Sequence, residues 1–328
     1  MSRLKHFTNA LATGYLQVGV QIFYTFASIP LALHYLSTQE FALWQVATTV
    51  AGYLLLVDFG MTSSGTRILM DHKDDPAGGI YGSVIKISVA VFLIQGMLIA
   101  VGGTVLSFWL PQLMNISAQF PDPSEAHAAS RALFFLAAGQ CVIQGFFFPG
   151  RIFGNLAVAH QRYDLGNYVQ IGALLVQFAA LWLAFHEKIG IYSVLVASAA
   201  GLLFSFCGNW IVAARLGFFP PRGCWGRFDF KLFQEILFLG SNVFLMAVGA
   251  QLVNASQVLI ISNTLGLTAA AVWSVAIKSF ISAQQLVARI VTFSSSPMSE
   301  MIVRGETERF IKRFHDLVIG YVATSIFL

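Results

Sequence analysis

Apolar residues in this chain run in long unbroken stretches, and polar residues gather in the connections between them. Nine stretches stand out, at about 10–35, 41–66, 79–110, 130–153, 164–185, 189–214, 233–263, 267–289 and 312–328. Most are near or above the roughly 20 apolar residues that a helix needs to cross a bilayer. They are continuous rather than alternating, so they predict helices and not the strands of a barrel. The first follows the basic start "MSRLKHFTNALATG" and continues to about Tyr35. A signal peptide has an apolar core of only about 7–15 residues, so this stretch reads as a retained span. The pattern predicts an all-α, polytopic transmembrane helix bundle with about nine helices present.

The pattern also recurs. "ALWQVA" begins at 42 and "AVWSVA" at 271, an offset of 229. "VGVQIF" at 18 and "VGAQLV" at 248 lie at an offset of 230. These offsets set the first stretch on the seventh and the second on the eighth. The expectation is a duplicated six-helix unit. Six is even, so the copies enter the membrane in the same direction, as parallel repeats. The connection "RLGFFPPRGCWGRFDFK" at 215–231 then separates an N-terminal lobe (1–216) and a cytoplasmic linker (217–232) from an incomplete C-terminal lobe of about three helices (233–328). Two full units would need more chain than this. The sequence ends on "VIGYVATSIFL", inside an apolar run, so it reads as truncated. The rival is a complete nine-span protein.

Composition changes the picture only by naming the solvent. The chain is 57% hydrophobic and 10% charged, against roughly 25% charged for a soluble domain. Charge placement gives orientation. With the N-terminus in the cytoplasm, the inner connections hold Arg3, Lys5, Arg67, Lys73, Arg151, Arg162, Arg215, Arg222, Arg227, Lys231, Arg289, Arg304, Arg309, Lys312 and Arg313, and the outer ones only Arg131 and Lys188. That asymmetry follows the positive-inside rule. It accounts for the net charge of +4 without nucleic acid. Cys141, Cys207 and Cys224 form no metal spacing, "HKDDP" at 72–76 reads as a solvated turn, and no P-loop pattern occurs. Neither a metal nor a cofactor is expected.

The layout resembles the multidrug/oligosaccharidyl-lipid/polysaccharide exporter superfamily, and within it the bacterial polysaccharide and O-antigen flippases. "LSTQEFALWQVATTVAGYLLLVDFGMTSSGTR" resembles that family's second helix, and "AHQRYDLGNY" at 159–168 its inner loop between helices four and five. The resemblance implies a non-enzymatic transporter in the bacterial inner membrane. It would flip a polyprenyl-pyrophosphate-linked oligosaccharide outward by alternating access, for surface polysaccharide such as the O-antigen of lipopolysaccharide. Implied partners are the lipid-linked oligosaccharide, membrane lipids and glycan polymerase or ligase machinery. Two other classes stay open: a cation-coupled drug exporter of the same superfamily, and a membrane enzyme acting on a lipid-linked glycan.

Polar residues inside the stretches are the candidates for chemistry. Lys278 lies near mid-span, where a lysine costs about 2.5–3.5 kcal/mol. Thr49 holds the equivalent repeat position, so the fold itself does not require the charge. Lys278 reads as a contact for an anionic substrate, or as a lysine that snorkels or pairs. Gln17 and Gln21 share a helix face, as do Asn254 and Gln257, and Gln251 holds the repeat position of Gln21. Such faces avoid lipid and either bond another helix or line a cavity. Arg289 closes the eighth stretch and joins the cavity candidates. Asp58 is a coupling carboxylate or a helix cap. Arg67, Arg151 and Arg162 either receive a substrate from the cytoplasm or anchor the topology. Pro30 and Pro149 are candidate kinks.

The orientation has a direct check at Cys224, in the 217–232 connection. A membrane-impermeant thiol reagent should label Cys224 in inverted vesicles and not in intact cells.

Overall fold

A computed structural model describes residues 3–77, 79–116, 122–254, 256–303 and 306–327. Their helices are α1 Arg3–Tyr35, α2 Thr38–Leu54, α3 Met61–His72, α4 Ile80–Leu113, α5 Pro123–Phe147 and α6 Arg151–Ala159. There follow α7 Tyr163–His186, α8 Ser193–Arg215, α9 Phe230–Asn254, α10 Ser256–Thr264, α11 Leu267–Val303 and α12 Thr307–Phe327. No strand occurs among the described residues. Seven segments are long and apolar enough to cross a membrane: Leu11–Tyr35, Ile80–Leu113, Pro123–Ala159, Tyr163–His186, Gly190–Arg215, Phe230–Ala250 and Leu267–Gln285. The protein is an all-α, multi-pass bundle.

Two of the nine expected stretches look different in three dimensions. The second, 41–66, is divided. A 3-10 turn at Leu55–Asp58 follows α2, and Phe59 (φ 48°) and Gly60 (φ 71°) then take left-handed backbone that breaks the helix. Asp58 caps the new start: its Oδ1 accepts from Thr62 Oγ1 at 2.6 Å and from Thr62 N–H at 3.3 Å. The last stretch, α12, is helical but carries Glu308, Arg309, Lys312, Arg313 and Asp316 in its first half, which shortens its apolar part. Pro30 sits inside an unbroken α1. At Pro149 a 3-10 turn, Phe148–Gly150, joins α5 to α6.

The repeat offset also relates helix ends. α1 ends at Tyr35 and α10 at Thr264, and α2 begins at Thr38 and α11 at Leu267. Both pairs are 229 apart. The two segments differ where a glycine acts: α2 and α3 are separate, whereas α11 is a single helix of 37 residues.

Two apolar layers hold the bundle. One lies towards the ends of the helices that carry Arg67, Arg151 and Arg162, here called the basic end. It contains Leu69, Tyr81, Ile85, Phe92, Phe148 and Leu156, with Ile236 from α9. The other, at the far end, contains Phe41, Leu43, Leu133, Leu136, Leu181 and Phe185, with Val258 from α10 and Ala270 from α11. Residues after 230 thus join the helices before 216 at both ends.

Close approaches explain two pairs of glycines. A Cβ on Gly60 would overlap the carbonyl oxygen of Gly240, so α9 crosses the α2–α3 break backbone to backbone. Phe59 and Phe244 flank that crossing, ring centroids 4.9 Å apart. Gly96 of α4 and Gly145 of α5 meet in the same way, each with the other's carbonyl oxygen where a Cβ would stand. Small residues at such crossings let helices pack without a hydrophobic driving force between them in lipid. The 216–229 connection is folded onto the start of α4. Tyr81 Oη donates to the Phe218 carbonyl at 2.8 Å, and Lys86 Nζ donates to that of Gly226 at 2.9 Å. Lys86 thereby ties the connection to the bundle. Large apolar side chains of α4, among them Leu93, Met97, Val101 and Trp109, remain exposed, as a lipid-facing surface requires.

Gly96→Ala should separate α4 from α5 and cost about 1–3 kcal/mol, the usual range for overpacking. Gly102→Ala, at a position with nothing within 4 Å, should leave the melt in detergent unchanged. Equal melting temperatures for the two variants would refute the close crossing.

Candidate substrate cavity

A cavity of about 370 Å³ opens beside the far-end apolar layer, walled by α1, α2, α5, α7, α8 and α11. Its lining is rich in amides. α5 contributes Gln140 and Gln144, one turn apart, and α7 contributes Gln170 and Gln177, two turns apart. These spacings place each pair on one helix face. α2 adds Gln45 beside Trp44, and α1 adds Tyr24, Thr25 and Ser28. Ser198, Gly201 and Ser205 of α8 complete the wall.

One ion reaches this cavity. Lys278 enters from α11, eleven residues past Leu267 and so about 16 Å along the helix at 1.5 Å per residue. Its Nζ stands 5.8 Å from the centroid of the Phe41 ring, within the range of a cation–π contact. Among the described residues, no acidic one lines the cavity and no salt bridge to Lys278 forms.

Several hydroxyls around the cavity are already engaged by their own helices. Thr25 Oγ1 donates to the Gln21 carbonyl at 2.9 Å, Ser28 Oγ to that of Thr25 at 3.1 Å and Thr48 Oγ1 to that of Trp44 at 2.9 Å. The amides are less committed. Gln140 is only 8% exposed, and its Oε1, closed off from solvent, accepts no hydrogen bond.

Of the residues expected from the sequence, Lys278 borders the cavity. Gln17 is buried and Gln21 half-buried on α1, towards the basic end from Tyr24 and Ser28. One turn before Gln17, Thr13 accepts from Asn167 Nδ2 at 3.1 Å, which bonds α1 to α7. Gln257 accepts from Trp273 Nε1 at 3.2 Å and so links α10 to α11. The side chains of Gln251, Asn254 and Arg289 lie outside the described residues. Asp58 sits at the α2–α3 break, with its carboxylate in the cap and its backbone carbonyl accepting from Gln95 Nε2 at 3.1 Å. At the basic end Arg162 makes a two-point pair with Asp164 at 3.0 and 3.2 Å. Arg151 stands 4.2 Å from the Phe148 ring centroid, and Arg67 is exposed. The glutamines of α5 and α7 were missed. The same spacing rule that picks out Gln17 and Gln21 would have found them.

With this geometry in view, the comparisons with known proteins concern the fold. No family profile matches the chain, and no curated protein matches it. Two solved structures do. One, named protein A, aligns with a TM-score of 0.62 at 12% identity, over 88% of this chain and 63% of that one. The other is a MOP superfamily transporter from Pyrococcus furiosus, for which a reversed polarity of the binding pocket suggests a different function. It aligns with a TM-score of 0.55 at 16% identity, over 97% of this chain and 68% of that one. The likeness is one of fold. The chain spans roughly two thirds of the length of each structure that it matches.

An orphaned buried acceptor costs about 1–3 kcal/mol. Gln140→Leu should therefore hold or raise the melting temperature in detergent, although it removes a polar side chain. A drop of several degrees would mean that the Gln140 amide is fully bonded.

Proposed function

We propose that this chain acts in a flippase that carries a polyprenyl-pyrophosphate-linked oligosaccharide across the bacterial inner membrane, N-terminus in the cytoplasm, for surface polysaccharide synthesis. The observation that carries the reading is Lys278. A single ammonium without an acidic partner borders an amide-lined cavity, at a depth where hydrocarbon penalises charge. An anionic, hydroxyl-rich ligand satisfies both features. The likeness of fold to a MOP superfamily transporter supports transport as the activity. The recurrence of helix ends at an offset of 229 supports two like-oriented units. In that arrangement the cavity lies mostly in the first unit, and the second supplies the charge. Alternating access then means that α9 and α11 shift against the first unit.

The competing readings find less support. A cation-coupled exporter wants a carboxylate in its cavity. Asp58 is instead tied into a helix cap at the basic end. An enzyme wants an activated nucleophile, whereas the hydroxyls of Thr25, Ser28 and Thr48 are spent on backbone carbonyls. Glycan polymerase or ligase machinery would act on the product at the outer face.

The test is complementation of a deletion strain. Lys278→Gln should reach the membrane in normal amount but reduce surface polysaccharide about tenfold or more, as expected when a charge-assisted hydrogen bond of about 1.5–3 kcal/mol is lost. Lipid-linked units should accumulate on the inner leaflet, and Lys278→Arg should restore much of the export. Full export by Lys278→Gln would defeat the proposal.

A further inference from the structure

The connection that leads into α9 has two sides of opposite character. Its inner side is fixed to the bundle. Phe218 is buried, its ring stacked on that of His160 with centroids 4.0 Å apart. Trp225 stacks on Phe219 at 6.4 Å, and Phe219 meets Phe153 of α6 at 6.1 Å. A Cβ on Gly226 would overlap the Gly79 carbonyl oxygen and Ser83 Oγ, and one on Gly82 would overlap the backbone of Cys224 and Trp225. Together with the hydrogen bonds from Tyr81 and Lys86, these contacts hold the segment against the start of α4.

The outer side carries Arg222, Arg227, Phe228, Phe230 and Lys231, all exposed. Phe228 is 55% exposed and Phe230 61%. Both lean on Phe233, at centroid distances of 6.3 and 5.8 Å, so the three rings form one apolar ridge. Asp229 between them is committed to the start of α9. Its Oδ1 accepts from the Lys231 N–H at 2.9 Å, and its carbonyl from the Phe233 N–H at 3.0 Å. Among the described residues, none of the three cations is in a salt bridge, not even Lys231 with Glu235 one turn beyond it.

Depth decides what covers this side. Phe230 is the first residue of a membrane-crossing segment, and the connection rests on the first turn of α4, where another such segment begins at Ile80. The ridge therefore lies at the boundary of hydrocarbon and water, at the basic end. Phenylalanines beside basic residues suit segments that lie in this layer, and Lys and Arg at this depth are drawn to anionic lipids. Water alone would leave the rings exposed, and hydrocarbon alone would leave the charges unpaired. A negatively charged headgroup layer satisfies both.

We propose that the 222–231 segment is a docking surface for anionic phospholipid headgroups in the leaflet at the basic end. Arg222, Arg227 and Lys231 hold the phosphates, and Phe228 and Phe230 reach into the upper acyl layer. The surface is separate from the cavity and independent of what the cavity carries. Because the segment runs directly into α9, bound lipid holds the entry of α9 at the interface.

The experiment uses the full chain with Cys207→Ser, Cys141 being buried, labelled at Cys224 with bimane. The protein is reconstituted into mixed vesicles of phosphatidylcholine and phosphatidylglycerol. Quenching by brominated phosphatidylglycerol is compared with quenching by brominated phosphatidylcholine at equal mole fraction. The relative binding constant should favour phosphatidylglycerol at least about threefold. High salt should shrink that preference by screening. Arg222→Gln, Arg227→Gln and Lys231→Gln together should abolish it. Phe228→Ser with Phe230→Ser should weaken quenching by both lipids and keep the preference. Equal quenching by the two lipids before any change to the surface, or a preference that survives both high salt and the triple substitution, would overturn the proposal. So would its loss on adding millimolar inorganic pyrophosphate at matched ionic strength, which would assign the cations to a free phosphate. The salt series needs no substitution in the surface, so a misfolded variant cannot mask the outcome.

Discussion

A charged amine held inside a hydrocarbon-spanning bundle must be offset by something, because each unpaired charge at that depth costs several kcal/mol. In this protein the offset is built from the face of Phe41 and a cavity wall of amides and hydroxyls. The constraint shapes what surrounds it. Apolar side chains pack at the far end and at the basic end, while amides of α2, α5 and α7 meet in a pocket between helices. A bundle with no cavity could not hold Lys278 at this depth without a carboxylate beside it.

The other ionised groups obey the same economy by local means. Asp58 is held by the hydroxyl and amide of Thr62, Arg162 by Asp164, and Lys86 by the carbonyl of Gly226. These partners lie close in sequence or in a connection at the basic end, where water and headgroups also assist. Lys278 differs because its surroundings come from helices far away in the chain.

The helices before 216 and the residues after 230 meet at both ends. At the basic end α9 crosses backbone to backbone, through Gly60 and Gly240, and Ile236 joins the apolar layer there. At the far end Asn115 Nδ2 donates to Asn263 Oδ1 at 2.8 Å and Ser262 packs on Met114, beside Val258, Leu267 and Ala270 of the other apolar layer.

Much of this protein was legible before any coordinates. Long apolar runs and the Lys/Arg asymmetry determined a polytopic helical bundle, because a bilayer leaves the backbone few ways to satisfy its hydrogen bonds. A lysine near mid-span was visible too, since hydropathy makes it an outlier in one dimension. The split of the second stretch was half legible: "DFG" at 58–60 holds the glycine, but the reason for it is the carbonyl of Gly240, 180 residues away. The cavity belonged to the tertiary structure alone. Gln45, Gln140 and Gln177 lie on three different helices, and periodicity says which face of a helix is polar but not which faces meet. Gln17 and Gln257 carry the same kind of signal, yet Gln17 is buried along α1 outside the cavity and Gln257 bonds α10 to α11. Only packing decides whether an intramembrane amide meets another helix or open space, because both satisfy it equally well.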